Sequence, residues 1–510
     1  MATDLEDLRS STSLTPPANP AKTWRTATGA HDAVWEPQAG SQVIFLTCPV
    51  FETLYEGTRG PGKTDALIMD FLQDVGKGFG AEWRGVLFRK TYPELADVVN
   101  KCNKWVPLMH PGARFNKSDY TWTFPDGEQL LLRHARVEMD YWAYHGHAYP
   151  WIGWEELTNW ADDKLYRKMM SCCRSTNPRL PRKYRATCNP YGVGHNWVKR
   201  RFKLPQMRGI PIRDAVDGEG NPEPPRVAIH GSIHENRILL EADPEYITRL
   251  RASARNRAEL MAWLHGSWDI VAGGMFDDVW DARYHVLEPF PVPRSWRVDR
   301  SLDWGSSKPF SVGWWAESDG TDVVYPDGRR MRTVKGDLFR IAEWYGCSPK
   351  ESNVGLQMDA KDVARGIIKR EREMVEEGLI PVRVRPGTAD SAISSSDNGP
   401  TVQSDMLAVG IDWELADKSP GSRKQGWLVM RRLFRAALNV DAEGRPRAGP
   451  REEPCMRFFR GCDAAIELIP SMSRDHKDLD DIDTDAEDHV ADEVRYRARN
   501  KVQAARQRSF

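Results

Sequence analysis

The chain lacks any run of about eighteen or more apolar residues, so it offers no segment suited to crossing a bilayer as a helix. Its opening, MATDLEDLRSSTSLTPPANPAK, lacks the basic-then-apolar order of a secretory leader. A soluble, intracellular protein is expected. An excess of one charge is also missing: 72 Lys and Arg stand against 73 Asp and Glu, for a net charge of -1. No global field therefore advertises a nucleic-acid partner, and any DNA contact must come from local patches. Eight cysteines include the adjacent pair Cys172 and Cys173 but nowhere take a CxxC spacing. This excludes a zinc site of the paired type and a disulfide scaffold, and reduced thiols are expected. No internal repeat is present.

At 510 residues the chain exceeds the size at which one hydrophobic core stops growing, so two large domains are expected. Residues 1–30 are rich in Ser, Thr, Pro and Ala and read as a disordered tail. Over 31–270, the short apolar runs QVIFLTC, VFETLYEG, RGVLFRK, HAYPWIGWEEL and RKYRATCNP alternate with helical segments such as KTDALIMDFLQDV. That alternation predicts an α/β domain whose sheet is largely parallel, with crossover helices. Paired glycines and prolines across 271–297 suit a connector. A second alternating region, 298–496, reads as strands at RVDRSLDW, FSVGWWAES and LFRIAEWYG, a helix near 350–375, a strand at PVRVRPGTAD and a helix near 422–438. A basic tail, 497–510, closes the chain.

Gly57-Thr58-Arg59-Gly60-Pro61-Gly62-Lys63-Thr64 fits GxxxxGKT at every fixed position, follows an apolar run and opens a helical one. The pattern is that of a P-loop binding ATP. Glycines let backbone N–H groups curl around phosphate, Lys63 supplies positive charge, and Thr64 offers a hydroxyl to Mg2+. A hydrolase also needs a metal-side carboxylate and a group to polarise water. In YPWIGWEE, Glu155 takes the first role and Glu156 the second; the bland alternative is a solvated acid pair opening a helix. Arg59 either bridges the transferred phosphoryl group in cis or braces the loop. Arg133 and Arg136 are weaker candidates for an arginine acting on a neighbouring subunit.

In the second half, Asp303 ends an apolar strand, Asp390 follows the β-like run PVRVRPG, and Asp488, His489 and Asp492 stand at a helix start. Acids from three distant segments fit one metal site, in which two Mg2+ or Mn2+ ions activate water and stabilise the leaving oxygen of a phosphodiester. Asp488 and Asp492 compete for the third carboxylate position, since four residues apart both face one cleft. His489 is a metal contact or a hydrogen-bonding neighbour. Taken singly, each of these acids reads as surface charge.

Several segments, in order over most of 40–500, resemble the large terminase subunit, the DNA-packaging motor ATPase and nuclease of tailed bacteriophages. They are the P-loop, VLFRKTYPEL, GWEELT, ATCNPYGVGHNWVKRRF, DWGSSKPF and EDHVADEVRY. The resemblance implies a P-loop motor domain followed by an RNase H-like nuclease domain. It places Gln42, in WEPQAGSQVIF, at the adenine edge, and Thr187 and Asn189 at the polar positions of a coupling motif. Glu155 stands where the family more often has aspartate. It further implies a ring, commonly a pentamer, on the portal of an empty capsid, a small subunit choosing the DNA start, and action in the host cytoplasm but not in the mature virion.

The basic stretches VKRRFK (198–203) and 497–508 are candidates for sequence-independent contact with double-stranded DNA phosphates, and the latter for portal docking. Two other readings share these residues: a cellular helicase or repair ATPase fused to a nuclease, and an inactive nucleotide-gated docking subunit.

Overall fold

The computed structural model describes residues 34–217, 220–254, 257–268, 274–348, 353–381, 383–395, 399–440, 445, 447–475, 477–484 and 486–507. The tail expected at 1–30 lies outside the described residues. The chain divides into two compact units, Met1–Ala272 and Gly273–Phe510. Among the described residues no helix is long and apolar enough to cross a membrane.

The first unit is built on strands β1 (Glu52–Gly57), β2 (Arg84–Arg89), β3 (Arg114–Asn116), β4 (Thr121–Thr123), β5 (Gln129–His134), β6 (Trp151–Trp154), β7 (Lys183–Thr187) and β8 (Arg226–Gly231), in the order β3-β4-β5-β2-β6-β7-β1-β8. From β5 to β8 every pairing is parallel, and β3 and β4 form an antiparallel edge. A parallel sheet covered on both faces buries its strands on both sides, and β1 and β6 are buried at every residue, β1 even at Glu52, Thr53 and Glu56. The largely parallel P-loop sheet is as the sequence led us to expect. The first apolar run differs: Ser41–Thr47 is a helix, with Ser41, Gln42, Val43, Phe45 and Leu46 buried. A run this short carries no periodicity that separates a buried helix from a buried strand.

Two carboxylates are buried in β1. Glu52 accepts from Arg201 Nε and Nη2 at 2.6 and 2.7 Å and from the Tyr166 hydroxyl at 3.0 Å. Glu56 accepts from Arg208 Nε at 2.7 Å and Trp268 Nε1 at 2.8 Å, with His230 Nδ1 3.0 Å away. Burial pushes the Glu56 carboxyl up, but His230 and Arg208 more than offset it and hold it below the ordinary range.

The second unit contains β9 (Val286–Leu287), β10 (Arg297–Asp303), β11 (Ser311–Glu317), β12 (Val323–Val324), β13 (Arg330–Met331), β14 (Leu338–Tyr345), β15 (Gly387–Ala389), β16 (Trp413–Leu415) and β17 (Met456–Phe459). Its main sheet runs β16-β15-β10-β11-β14-β17-β9, with β12 and β13 as a separate hairpin. β10, β11 and β14 are antiparallel neighbours, while β15 and β16 run parallel to β10. Five strands whose first three form a meander and whose last two extend the sheet beside the first have the order of the RNase H-like fold. PVRVRPGTAD gives only three strand residues, because prolines at 381 and 386 cannot donate to a ladder.

The stretch expected to connect the domains mostly belongs to this unit. Met275, Phe276, Val279 and Trp280 are buried, and β9 pairs in parallel with β17. The expected basic tail is also altered. Helix His489–Gln507 runs through it, Arg497 Nε lies 2.5 Å from Asp299 Oδ1, and Arg499 Nη2 lies 2.9 Å from Asp417 Oδ2. Desolvation of Arg497 is offset by ion pairing, which fixes it as a structural charge rather than a free end.

The same helix carries Glu493, wholly buried, which accepts from Arg340, Ser301 and Trp315 Nε1. Residues 489, 493 and 497 are four apart and share a face, so these two ion pairs fix the direction in which His489 points. Replacing Arg340 by Met strands the Glu493 charge and should lower the stability of this unit by about 3–5 kcal/mol. The double replacement Arg340→Met with Glu493→Leu should recover most of that loss. Calorimetric unfolding, followed by the transition of the second unit, checks both.

Candidate active sites

In the first unit β6, β7 and β1 are adjacent and parallel, so their carboxyl ends open on one edge of the sheet, where α/β folds bind ligands. The phosphate loop leaves β1 there. Gly57, Gly60 and Gly62 have φ of 135°, 84° and 82°, values that side chains rarely adopt. A Cβ on Gly57 would lie 2.2 Å from the Gly231 carbonyl oxygen of β8, and one on Gly62 would lie 2.3 Å from Gln42 Nε2. Asn236 Nδ2 donates to Gly60 O at 2.6 Å, the Thr58 hydroxyl accepts from Ile233 N at 2.6 Å, and Pro61 is buried in the turn.

Gln42 does not present a free amide to a base edge. Its Nε2 donates to the carbonyls of Pro61 and Gly62 at 3.0 and 3.2 Å, and its Oε1 accepts from Gln38 N at 2.7 Å. In this structure it is a brace of the loop.

Lys63, the first residue of helix Lys63–Leu72, is buried. Its ammonium donates to Thr58 O at 2.6 Å and to Asn189 Oδ1 at 2.9 Å. Burial pushes the ammonium below its ordinary range, opposed by Glu156 and other nearby acids. Asn189 Nδ2 in turn donates to both oxygens of Glu156, at 2.9 and 3.1 Å. A lysine only donates and a carboxylate only accepts, so chemistry fixes which way the amide faces. Glu156 has a left-handed backbone, φ 56° and ψ 58°, a strained conformation for a residue with a side chain. Its N–H donates to the Thr187 hydroxyl at 3.4 Å, and Thr187 ends β7.

Glu155 is buried beside Arg89, whose Nε lies 3.3 Å from Oε2. That oxygen nevertheless has no hydrogen-bond partner. Burial pushes the Glu155 carboxyl up to about 7, against the pull of Arg89 and the Thr64 hydroxyl and with the help of Glu156. Arg59 is drawn to an aromatic pair: its guanidinium carbon stands 3.8 Å from the Trp263 ring centroid and 5.6 Å from that of Tyr191. In this arrangement it braces the loop. Arg133 donates to Leu132 O and Thr121 Oγ1 at 2.9 and 3.1 Å, while Arg136 is exposed.

Of the four cations in VKRRFK, Arg201 is buried, Lys199 and Arg200 are half-buried and Lys203 is exposed. Arg201 pairs with Glu52, and Lys199 Nζ donates to Trp268 O at 2.7 Å.

In the second unit the strand ends again gather the acids. Asp303 ends β10, Asp390 follows β15, and Asp390 N donates to Leu302 O at 3.0 Å. Asp488 and Asp492 stand at the start of the last helix, and His489 Nδ1 lies 3.0 Å from Asp303 Oδ2. Burial pushes Asp303 up to about 7; His489 opposes this, and Asp492 and Asp390 add to it. Burial works against a charged His489, but Asp303 and Asp488 outweigh it and raise its affinity for a proton.

The sequence brought these groups to one end of the sheet but did not show what holds them. Among the described residues no three His, Cys, Asp or Glu side chains are arranged to share a metal ion. Cations stand on the carboxylates instead. Lys418 pairs with Asp390, Arg495 Nε lies 3.0 Å from Asp492, and Arg423 reaches Asp488 and Asp492 at 3.1 and 3.5 Å. Sequence reasoning missed Lys418, Arg423, Arg89 and Asn236. Only Arg89 carried a signal, as the end of the apolar run VLFR.

No protein-family model matches the chain, and no curated protein matches it. Solved structures similar to it are large terminase chains from several bacteriophages, at low sequence identity. The large terminase of a thermophilic bacteriophage is 16% identical, with 92% of this chain and 100% of that one covered and a TM-score of 0.38. For the large terminase of bacteriophage HK97 the values are 12%, 90%, 92% and 0.37. The nuclease domain of the P22 large terminase is 15% identical over 46% of this chain and 93% of its own, with a TM-score of 0.30.

The phosphate loop tolerates no side chain at its first glycine. Gly57→Ala should force β1 away from β8 and weaken binding of a fluorescent ATP analogue by about tenfold or more, given the ~1–3 kcal/mol cost of such backbone strain. Equilibrium titration of the full chain measures it.

Proposed function

We propose that the chain is a viral terminase large subunit, in which ATP hydrolysis by the first unit moves double-stranded DNA through the portal into an empty capsid. The second unit cuts concatemeric DNA to start and end packaging. The observation that carries the ATPase reading is the continuous chain Lys63–Asn189–Glu156 across three adjacent parallel strand ends. It joins the phosphate-binding cation to the water-polarising carboxylate inside a P-loop fold. The order of motifs along the chain supports the extension to a terminase.

In the first unit, Lys63 and the loop N–H groups bind and orient the outer phosphates. Glu156 accepts a proton from the attacking water, and Thr187 and Asn189 set its position. The buried Glu155 carboxylate, hydrogen-bonded to the Thr64 hydroxyl and with Arg89 Nε 3.3 Å from one oxygen, suits a divalent cation by its charge and oxygen donors, so Thr64 and Glu155 would hold Mg2+. That ion, bound with ATP, would withdraw charge from the phosphoryl oxygens. Arg59 leaves its aromatic platform if it is to reach phosphate, or stays as a brace.

In the second unit the donors are carboxylates with little else, a set suited to hard divalent cations. Asp303, Asp390 and either Asp488 or Asp492 would hold two Mg2+ or Mn2+ ions, which supply water activation and leaving-group stabilisation. His489 holds Asp303 in place and can carry a proton at Nδ1. We assign the chain a homo-oligomeric ring, commonly pentameric, on the portal, with a small subunit selecting the DNA start, in the host cytoplasm and outside the mature virion.

Glu156→Gln should lower Mg2+-dependent ATP hydrolysis by about a hundredfold or more while leaving DNA cleavage intact. Asp303→Asn should do the converse. Steady-state hydrolysis, and cleavage of linear and circular DNA with Mg2+ or Mn2+, separate the two. If the wild type shows neither activity with DNA and portal supplied, the docking-subunit reading replaces this one.

A further inference from the structure

The carboxylate cluster of the second unit is bridged by one arginine. Arg423 is the second residue of helix Ser422–Leu438, and its three nitrogens are shared among three acids. Nε lies 2.8 Å from Asp481 Oδ1, Nη2 3.1 Å from Asp488 Oδ2, and Nη1 3.5 Å from Asp492 Oδ2. The contacts differ in kind. Asp481 is fixed from two sides, because Trp427 Nε1 also donates to its Oδ1 at 2.8 Å. The ring of Trp427 lies under the guanidinium, 5.6 Å from centroid to Cζ. The contact to Asp492 is long, and that acid has a second cation in Arg495.

The close approach of the two helices is built in. A Cβ on Gly426 would stand 2.4 Å from Arg495 Cγ on the last helix. Any other residue there must displace the Arg495 side chain or the helix that carries Arg423.

We propose that Arg423 is an internal counter-ion that occupies the place of a metal: it holds Asp488 and Asp492 in the metal-free chain, yields them to a divalent cation, and remains tethered to Asp481. This rests on reading the second unit as a metal-dependent nuclease. Asp488 and Asp492 repel one another, and a guanidinium with five donors can hydrogen-bond several carboxylates at once and offset part of that repulsion. It is bulkier than a metal ion and keeps the acids apart, which accounts for the lack of a ready-made ligand set among the described residues. A cation must displace it, so the apparent metal affinity is reduced by the fraction of chains in which Arg423 is engaged.

The test is direct binding of Mn2+ to the full chain without nucleotide or DNA, followed by the electron paramagnetic resonance signal of free Mn2+. Ions lost in Asp303→Asn define the nuclease site. At that site Arg423→Gln should bind Mn2+ about two- to fivefold more tightly than wild type, the range expected for release of a partly exposed ion pair. Arg423→Lys, which keeps the charge but cannot span three acids, should fall between them. Mn2+ should also raise the melting temperature of Arg423→Gln more than that of wild type, because the uncompensated acids destabilise its metal-free form. Equal or weaker Mn2+ binding by Arg423→Gln, with a folded Arg423→Lys behaving like wild type, overturns the counter-ion role while leaving the nuclease reading standing. If no Mn2+ is lost in Asp303→Asn, both fall together.

Discussion

Charge taken out of water must find a partner, and that requirement shapes both halves of this protein. A fully buried carboxylate costs several kcal/mol unless paired and hydrogen-bonded. Here Glu52, Glu56 and Glu493 are all fully buried and all matched. Glu56 stands immediately before Gly57, so the arginine, histidine and tryptophan gathered on it fix the strand from which the phosphate loop departs. Glu493 stands one turn after His489 and fixes the helix start that faces Asp303. In each unit a structural ion pair lies within a turn or a residue of the chemistry. The two are thereby coupled: what stabilises the fold also aims the functional side chains.

The two sites balance their charges in opposite ways. In the first, a buried lysine donates to a loop carbonyl and to the Asn189 amide oxygen, while Glu156 accepts from the other end of the same amide. A neutral group mediates between opposite charges, and burial drives the lysine downward without expelling it. In the second, carboxylates predominate, and no neutral group can satisfy so many like charges. Lysine, arginine and histidine fill that need. The contrast follows from the charges each set of residues brings together: a lysine and a glutamate in one case, mostly carboxylates in the other.

Much of this was legible in the sequence, and the reasons are physical. GxxxxGKT fixes a backbone path through its glycines, and short apolar-rich segments alternating with helical ones mark the strands of a parallel sheet, so β1, β2, β6 and β7 were readable. The positions of Asp303 and Asp390 at strand ends were readable because each follows a β-like run, and they lie at the end of β10 and just after β15. The helix Ser41–Thr47 was not, since seven residues buried nearly all round look the same as a strand. Nor was the role of Gln42, because an amide's partners depend on which carbonyls lie opposite it. Arg201 and Arg497 sat in runs that resembled basic surface patches. Sequence counts charges, but only the fold says which of them are buried against Glu52 or Asp299.

The residues that sequence could not supply, Arg423 and Lys418 above all, share one property: their partners lie far along the chain. Arg423 meets Asp481, Asp488 and Asp492 across about sixty or more positions, and no local pattern encodes that meeting. What helps to encode it is a glycine. The space left by Gly426 lets its helix lie against the Arg495 side chain, where a Cβ would stand 2.4 Å from Cγ. A small residue without chemistry of its own thus makes room for a charged one. The same holds at Gly57, whose missing side chain lets β1 lie against the Gly231 carbonyl and so sets where the loop begins its turn. In both units the chemistry depends on the placement of polar groups, and that placement depends on where the chain has left room.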